Sequence, residues 1–207
     1  MTTRLLLVRH GRTAYNAEQR FMGQLDIPMD EKGEAQVQAV ARRLATESPA
    51  AIYSSELLRA RETAAAIQSA IASRPPLRVE PRLTEGHFGD WQGERYPDIH
   101  VQDADRLARW EADRVGVAPP NGEALRDIAE RVQAAYRDIC SAHRDQTVII
   151  AAHGGSLQVL ILLALDLPLE AYWKMDVSNA SLSEVRVYDE GAVLHLLNDT
   201  SHLDGIE

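Results

Sequence analysis

Two rhythms of apolar residues run along the chain. Short unbroken runs suit strands buried on both faces: Leu5 to Val8, Ala50 to Tyr53 and, strongest, Thr147 to Ala152, with Leu77 to Val79 as a further short strand. Longer stretches carry apolar residues three and four apart and predict helices. These are Val37, Val40, Ala41 and Leu44 between Asp30 and Glu47; Ala60, Ala64, Ile67 and Ile71 between Glu56 and Ile71; and Leu125, Ile128, Val132, Ala135 and Ile139 between Glu123 and His143. Asp30 and Ser55 are placed to cap the first two. Further helices are expected over Ala104–Ala112 and over the apolar run Ser156–Leu165. Arg12 to Asp30 reads as a turn or short helix and then a loop, and the Gly86–Pro97 stretch reads as irregular. Pro75-Pro76 and Pro119-Pro120-Asn121-Gly122 break the chain. Ser181–Tyr188 and Ala192–Leu196 flank Asp189-Glu190-Gly191 and predict a hairpin. Strand and helix alternate, which implies an α/β fold of three layers: a mainly parallel central sheet with helices on both faces. With no repeat, low-complexity segment or linker, a single domain over 1–207 is expected.

Composition narrows the function. The chain has 207 residues, 45% hydrophobic and 26% charged, with a net charge of −9. That balance disfavours nucleic acid as a partner, yet a few local Arg and His can still make one cleft attractive to a small anion. Cys140 is the only cysteine, so no internal disulfide can form. No apolar run reaches membrane-spanning length and the chain opens directly on its first strand; the expectation is a cytoplasmic protein without a membrane partner. Asn179-Ala180-Ser181 matches a glycosylation sequon and is read as chance.

Candidate chemistry gathers where strands end. The first strand runs into Arg9-His10-Gly11, with Thr13 and Asn16 behind it, and the strongest runs into His153-Gly154-Gly155. In a parallel sheet both histidines fall on one edge, the edge where ligands bind. A third strand end leads into Ser54-Ser55-Glu56-Leu57-Leu58-Arg59-Ala60-Arg61-Glu62-Thr63-Ala64, with Arg59 in the first turns of a helix, where backbone dipoles favour anions. Leu83-Thr84-Glu85-Gly86-His87-Phe88-Gly89 offers a carboxylate in a loop able to reach the same edge. Arg presents a fixed fork of donors suited to phosphate oxygens, and His a nitrogen that attacks or carries a proton near neutral pH.

Taken in order, these segments and the Gly89-x-Trp91-x-Gly93 run resemble the histidine phosphatase superfamily, the phosphoglycerate-mutase-like family, and its small phosphatase members in particular. The resemblance covers nearly the whole chain and implies the phosphoglycerate-mutase-like fold. It implies that His10 is the nucleophile that takes the phosphoryl group. Arg9, Arg59 and His153 are implied to hold the phosphoryl oxygens, and Glu85 to be the general acid. Asn16 and the backbone of Gly154 join the phosphate pocket; Arg12 and Thr13 occupy variable positions. Neighbouring Arg charge should hold His10 neutral, and a dianionic substrate beside Glu85 favours its protonated form. The implied activity is a metal-independent phosphomonoesterase with no cofactor, acting on a small anionic phosphorylated metabolite. The family leaves a homodimer open.

Each residue also has a plainer reading. His153 alone reads equally as a core histidine, Arg59 as a solvated helix residue, and Glu31, Glu56, Glu62 and Glu94 compete with Glu85. His87 reads as a loop residue, and Asp98, His100, Asp103 and Asp105 as a solvated acidic loop, since their spacing matches no metal motif. Cys140 lacks the arginine that a Cys-x5-Arg phosphatase needs, Gln146 standing there, and reads as structural. Three other functions stay open. One is a phosphoglycerate mutase, against which stands the acidic segment Glu94-Arg95-Tyr96-Pro97-Asp98-Ile99-His100 and the acidic end Asp204-Gly205-Ile206-Glu207. The others are a non-catalytic phospho-ligand binder and a structural domain. Sugar phosphates, phosphoglycerate derivatives, phosphoserine and α-ribazole phosphate all remain candidate substrates.

Overall fold

Residues 5–8 and 148–152 are apolar at every position because the strands they form are covered on both sides. In the structure, a computed structural model describing residues 2–206, the chain runs β1 (Thr2–Arg9), α1 (Ala14–Ala17), α2 (Glu31–Leu44), β2 (Ala51–Ser54), α3 (Leu58–Ala70), β3 (Leu77–Val79), α4 (Tyr96–Gln102), α5 (Ala104–Ala112), α6 (Leu125–Ala142), β4 (Thr147–Ala152), α7 (Gly154–Ala164), β5 (Leu182–Tyr188) and β6 (Gly191–Asp199). Single turns of 3-10 helix lie at Pro81–Leu83, Gly89–Trp91 and Ser201–Leu203, and a longer 3-10 stretch at Leu169–Lys174. Met1 and Glu207, the two ends of the expected domain, lie outside the described residues.

The six strands form one sheet in the order β3-β2-β4-β1-β5-β6. β1, β2, β3 and β4 are mutually parallel, while β5 pairs antiparallel with β1 and β6 antiparallel with β5, as the predicted hairpin requires. Side chains alternate across the strands. Leu5, Leu7, Val148 and Ile150 point to one face and pack with Val132, Ala135 and Ile139 of α6 and Leu160 and Ile161 of α7. Leu6, Val8, Ile149 and Ala151 point to the other and pack with Val40, Ala41 and Leu44 of α2 and Ala64 and Ile67 of α3. The sheet is thus mixed but mostly parallel, with helices on both faces.

Three local readings need correction. Ser55 does not cap α3. The helix begins at Leu58, whose N–H donates instead to Asp26 Oδ1 at 2.8 Å, a cap supplied from 32 residues away. α4 starts at the end of the stretch read as irregular and takes Asp98 and His100, read as loop residues, into a helix. Its Pro97 sits in the first turn, where the missing N–H costs nothing, and its Ile99 is buried with Trp91, Leu107 and Trp110. α7 begins at Gly154, two residues before the expected start, so the two glycines are its first helical turn.

Candidate active site

The register of β1 against β4 pairs Arg9 with Ala152, and the His10 N–H continues the ladder to the Ala152 carbonyl at 3.0 Å. His10 and His153 therefore leave the sheet side by side, their ring centroids 5.1 Å apart. Nδ1 of His10 lies 2.7 Å from the Gly11 carbonyl. A carbonyl only accepts, so Nδ1 carries the hydrogen and Nε2 keeps its lone pair. The Arg59 Nε–H donates to that lone pair at 3.3 Å. Burial pushes the His10 pKa well below its usual value, and the guanidiniums of Arg59 and Arg9 push the same way. The result is an imidazole held toward its neutral form, with its Nε2 lone pair facing the Arg59 guanidinium.

Arg59 is fully buried; its Nη1 donates to the Leu25 carbonyl at 2.7 Å and its Nη2 to the Gly23 carbonyl at 2.8 Å. Burial lowers its pKa to about 10, against the opposing pull of Glu85 and Asp26. Arg9 donates from Nη1 to the Val177 carbonyl at 2.6 Å, while its Nε is buried without a hydrogen-bond partner. Nδ1 of His153 is buried and unpartnered as well, its Nε2 lying 2.8 Å from the Ser55 hydroxyl. Buried polar atoms are seldom left so, and these two belong to groups beside the His10 ring. An anion between the imidazoles and guanidiniums would satisfy both.

Glu85 reaches this edge from the loop after the Pro81–Leu83 turn. Its Oε2 accepts from the Gly155 N–H at 3.1 Å and its Oε1 from the Gly86 N–H at 3.0 Å. Glycine at 155 is needed for that approach: a Cβ there would lie 2.4 Å from Glu85 Oε1 and 2.9 Å from the Tyr172 hydroxyl. At Gly154 a Cβ would press on the Arg9 guanidinium carbon at 3.3 Å. Asn16 lines the same cavity, of about 310 Å³, with Gln19, Arg20, Phe21, Phe88 and Tyr96. Its Oδ1 accepts from the Thr13 N–H at 3.1 Å and from Asn179 Nδ2 at 3.2 Å, leaving its amide nitrogen as the donor for a ligand.

All seven sequence-predicted site residues thus meet at one sheet edge. Arg12 and Thr13 do not join them: Arg12 pairs with Asp30 at 2.9 Å, and Thr13 caps α1. His87 accepts from the Gly89 N–H at 3.0 Å, a loop contact. Among the described residues no group of three or more His, Cys, Asp or Glu is arranged to hold a metal ion, and no helix is long and apolar enough to cross a membrane. Cys140 is partly buried against the core, and burial pushes its thiol up to about 11. Sequence reasoning missed Ser55 as the partner of His153. It also missed Tyr172, and Asn179, whose Nδ2 donates to the His10 carbonyl at 3.2 Å. The only sequence signal for Asn179 is its place just before the strand that pairs with β1.

Known proteins resemble this chain over most of its length. The profile of the histidine phosphatase superfamily (branch 1) matches residues 5–200. Glucosyl-3-phosphoglycerate phosphatase of Mycolicibacterium vanbaalenii is 35% identical over 174 residues, 81% of this chain and 76% of its own. The metal-independent phosphoserine phosphatase of Arabidopsis thaliana is 31% identical over 206 residues, 99% of this chain and 84% of its own. Among solved structures, the α-ribazole phosphatase of Shigella flexneri superposes with a TM-score of 0.88 at 29% identity, covering 95% of this chain and 96% of that one.

Proposed function

Because the chain belongs to the histidine phosphatase superfamily, branch 1, we propose that its 207 residues work as one domain that hydrolyses phosphomonoesters through a phosphohistidine formed on Nε2 of His10. It is a metal-independent phosphoric monoester hydrolase of small phosphorylated metabolites. The observation that carries the mechanism is the state of His10: neutral, its Nδ1–H fixed by the Gly11 carbonyl, its Nε2 lone pair beside Arg59.

In the first step the Nε2 lone pair bonds to phosphorus as the bond to the leaving oxygen breaks, and Glu85 gives its proton to that oxygen. In the second, water attacks the same phosphorus and Glu85, now a carboxylate, takes a proton from it. The P–N bond breaks, and phosphate leaves with Nε2 restored. Splitting the barrier this way suits an ester whose uncatalysed hydrolysis is among the slowest known. The Arg59 Nε–H, the unpartnered Arg9 Nε and the His153 ring hold the phosphoryl oxygens, with Asn16 and the Gly154 N–H as further donors. Fixed cations need no reorganisation as charge moves. The leaving group lies in the cavity walled by Phe21, Phe88 and Tyr96, which is of metabolite size. A single thiol and substrates of this kind suit a cytoplasmic enzyme.

The test is phosphate release from a panel containing glucosyl-3-phosphoglycerate, phosphoserine and α-ribazole 5′-phosphate, with and without prolonged chelation. It is followed by rapid quench of the turning-over enzyme. Acid-labile, base-stable phosphate should appear on the wild type and not on His10→Ala, and chelation should leave the rate unchanged. Activity restored only by a divalent ion, or label that persists in His10→Ala, refutes the mechanism.

A further inference from the structure

We infer that Arg131 of α6, with Glu123, is a positioning pair for this reaction that sets where the Glu85 proton donor sits relative to the phosphoryl cradle. A guanidinium has five N–H donors, and Arg131 uses all of them on one loop and one carboxylate. Its Nη1 donates to the Arg82 carbonyl at 2.9 Å and to the Thr84 carbonyl at 2.7 Å. Its Nη2 donates to the Glu85 carbonyl at 3.0 Å. The remaining two donors grip Glu123 side-on, Nε to Oε1 at 2.9 Å and Nη2 to Oε2 at 3.1 Å.

Glu123 closes the clip on the far side of the acid. Its Oε2 accepts from the His87 N–H at 2.8 Å, and its own N–H donates to the His87 carbonyl at 2.8 Å. The backbone around Glu85 is thereby fixed at 82, 84, 85 and 87. Gln24 ties it to the other half of the site: its Nε2 donates to the Glu85 carbonyl at 2.9 Å and reaches Glu123 Oε2 at 3.4 Å. The adjacent Gly23 carbonyl is the one that receives Arg59 Nη2. Neither Arg131 nor Glu123 lines the cavity at His10. They act through Glu85, and lysine at 131 has three donors on a flexible stem where the loop and Glu123 together take five in a plane.

The inference rests on the reading of Glu85 as general acid, so both are tested together. Arg131→Lys and Glu123→Gln are compared with Glu85→Gln on an alkyl phosphate and on p-nitrophenyl phosphate, whose leaving group needs little protonation. Loss of an acid costs about 10²-fold or more where the leaving group is poor. Arg131→Lys should lower kcat on the alkyl ester by at least about tenfold and on the aryl ester by less than about threefold, with KM little changed. In the double variant Arg131→Lys/Glu85→Gln, the alkyl-ester loss should be no greater than that of Glu85→Gln alone. A merely structural role lowers both esters equally, by the fraction of folded enzyme, and adds to the Glu85→Gln loss; either result overturns the proposal. If Arg131→Lys does not fold, Glu123→Gln must give the same split. If Glu85→Gln itself shows no dependence on leaving group, the acid assignment falls and the positioning role with it. If Glu85→Gln shows the split and neither clip variant does, only the positioning role falls.

Discussion

Arg59 rests its Nε–H on Nε2 of His10 at 3.3 Å, so the cation that should receive the phosphoryl group already guards the nitrogen proposed to attack it. The same guanidinium holds the carbonyls of Gly23 and Leu25. Lysine cannot reproduce three divergent bonds. Arg59→Lys should therefore lower kcat by about 10²–10³-fold, the usual cost of one preorganised donor at a transferring group. It should also destabilise the fold by about 1–3 kcal/mol for each buried carbonyl left unpaired. Steady-state kinetics and denaturant unfolding of the one variant check both. A variant with near wild-type kcat would remove Arg59 from the cradle.

The buried histidines set a stability–pH relation. Burial, reinforced by Arg59 and Arg9, lowers the folded-state pKa of His10 and His153 well below the ordinary histidine value. Above about pH 6.5 both states are neutral and nothing is lost. As pH falls below that value the unfolded chain binds protons that the folded one refuses, so stability falls by up to ~1.4 kcal/mol per pH unit for each histidine. His202, lowered by burial, acts in the same direction. Unfolding free energy measured at pH 7.5, 6.0 and 5.0 should drop, and His10→Gln should flatten the slope by about one proton. A free energy flat over that range would mean the histidines are charged in the folded protein.

Most of the candidate site was legible because each residue proposed to hold the phosphoryl group sits beside a local signal. His10 and His153 follow the two most apolar strands, and Arg59 follows a third. What stayed hidden is joined across sequence with no local pattern. Arg131 lies in a helix recognised only by its apolar face, and its carbonyl partners lie 46 to 49 residues earlier. Asn179 read as a chance sequon and turned out to brace Asn16. Ser55 offered a good cap, but its hydroxyl faces His153 and a distant Asp26 took the cap. α4 was missed because Pro97 reads as a breaker until its place in the first turn is known.

Two adjacent glycines separate packing from chemistry. Gly155 lies in the first turn of α7, where alanine is the better helix former by about 1 kcal/mol. Its added Cβ would nevertheless lie 2.4 Å from Glu85 Oε1. Gly155→Ala should leave thermal stability within a few degrees of the wild type and cut turnover of alkyl phosphates by about 10²-fold, the worth of a displaced general acid. At Gly154 the nearest atom is the Arg9 guanidinium at 3.3 Å, a contact a small shift relieves, so Gly154→Ala should cost less than Gly155→Ala. Equal activities for the two would mean Glu85 is not held where α7 begins.

Hydrolysis should dominate over mutase chemistry. Both begin with phosphorylated His10 and part at the next step, because a mutase must keep the phosphoenzyme dry and hold a product bearing a second anionic group. The mouth of the cavity is poorly built for that. Arg20, on its wall, gives its Nε–H to Glu18 at 2.6 Å and its Nη1 to the Gly93 carbonyl at 2.7 Å, and Arg95 pairs with the same Glu18 at 3.6 Å. Beside it stand Gln19, uncharged, and the apolar and aromatic side chains of Phe21, Met22, Phe88 and Tyr96. The described residues after β6 pack on the fold rather than over the cavity. After β6 the chain turns onto α2, where Arg43 binds Asp199, the Ser201 hydroxyl at 3.0 Å and His202 Nδ1 at 3.0 Å, while His202 Nε2 donates to the Ala180 carbonyl at 2.8 Å. Water therefore has a path to the phosphoenzyme. Given 3-phosphoglycerate with a trace of 2,3-bisphosphoglycerate, the enzyme should release inorganic phosphate at least as fast as it forms 2-phosphoglycerate. Interconversion faster than phosphate release by orders of magnitude would make it a mutase, and would mean that Arg20 leaves Glu18 to hold the second anion.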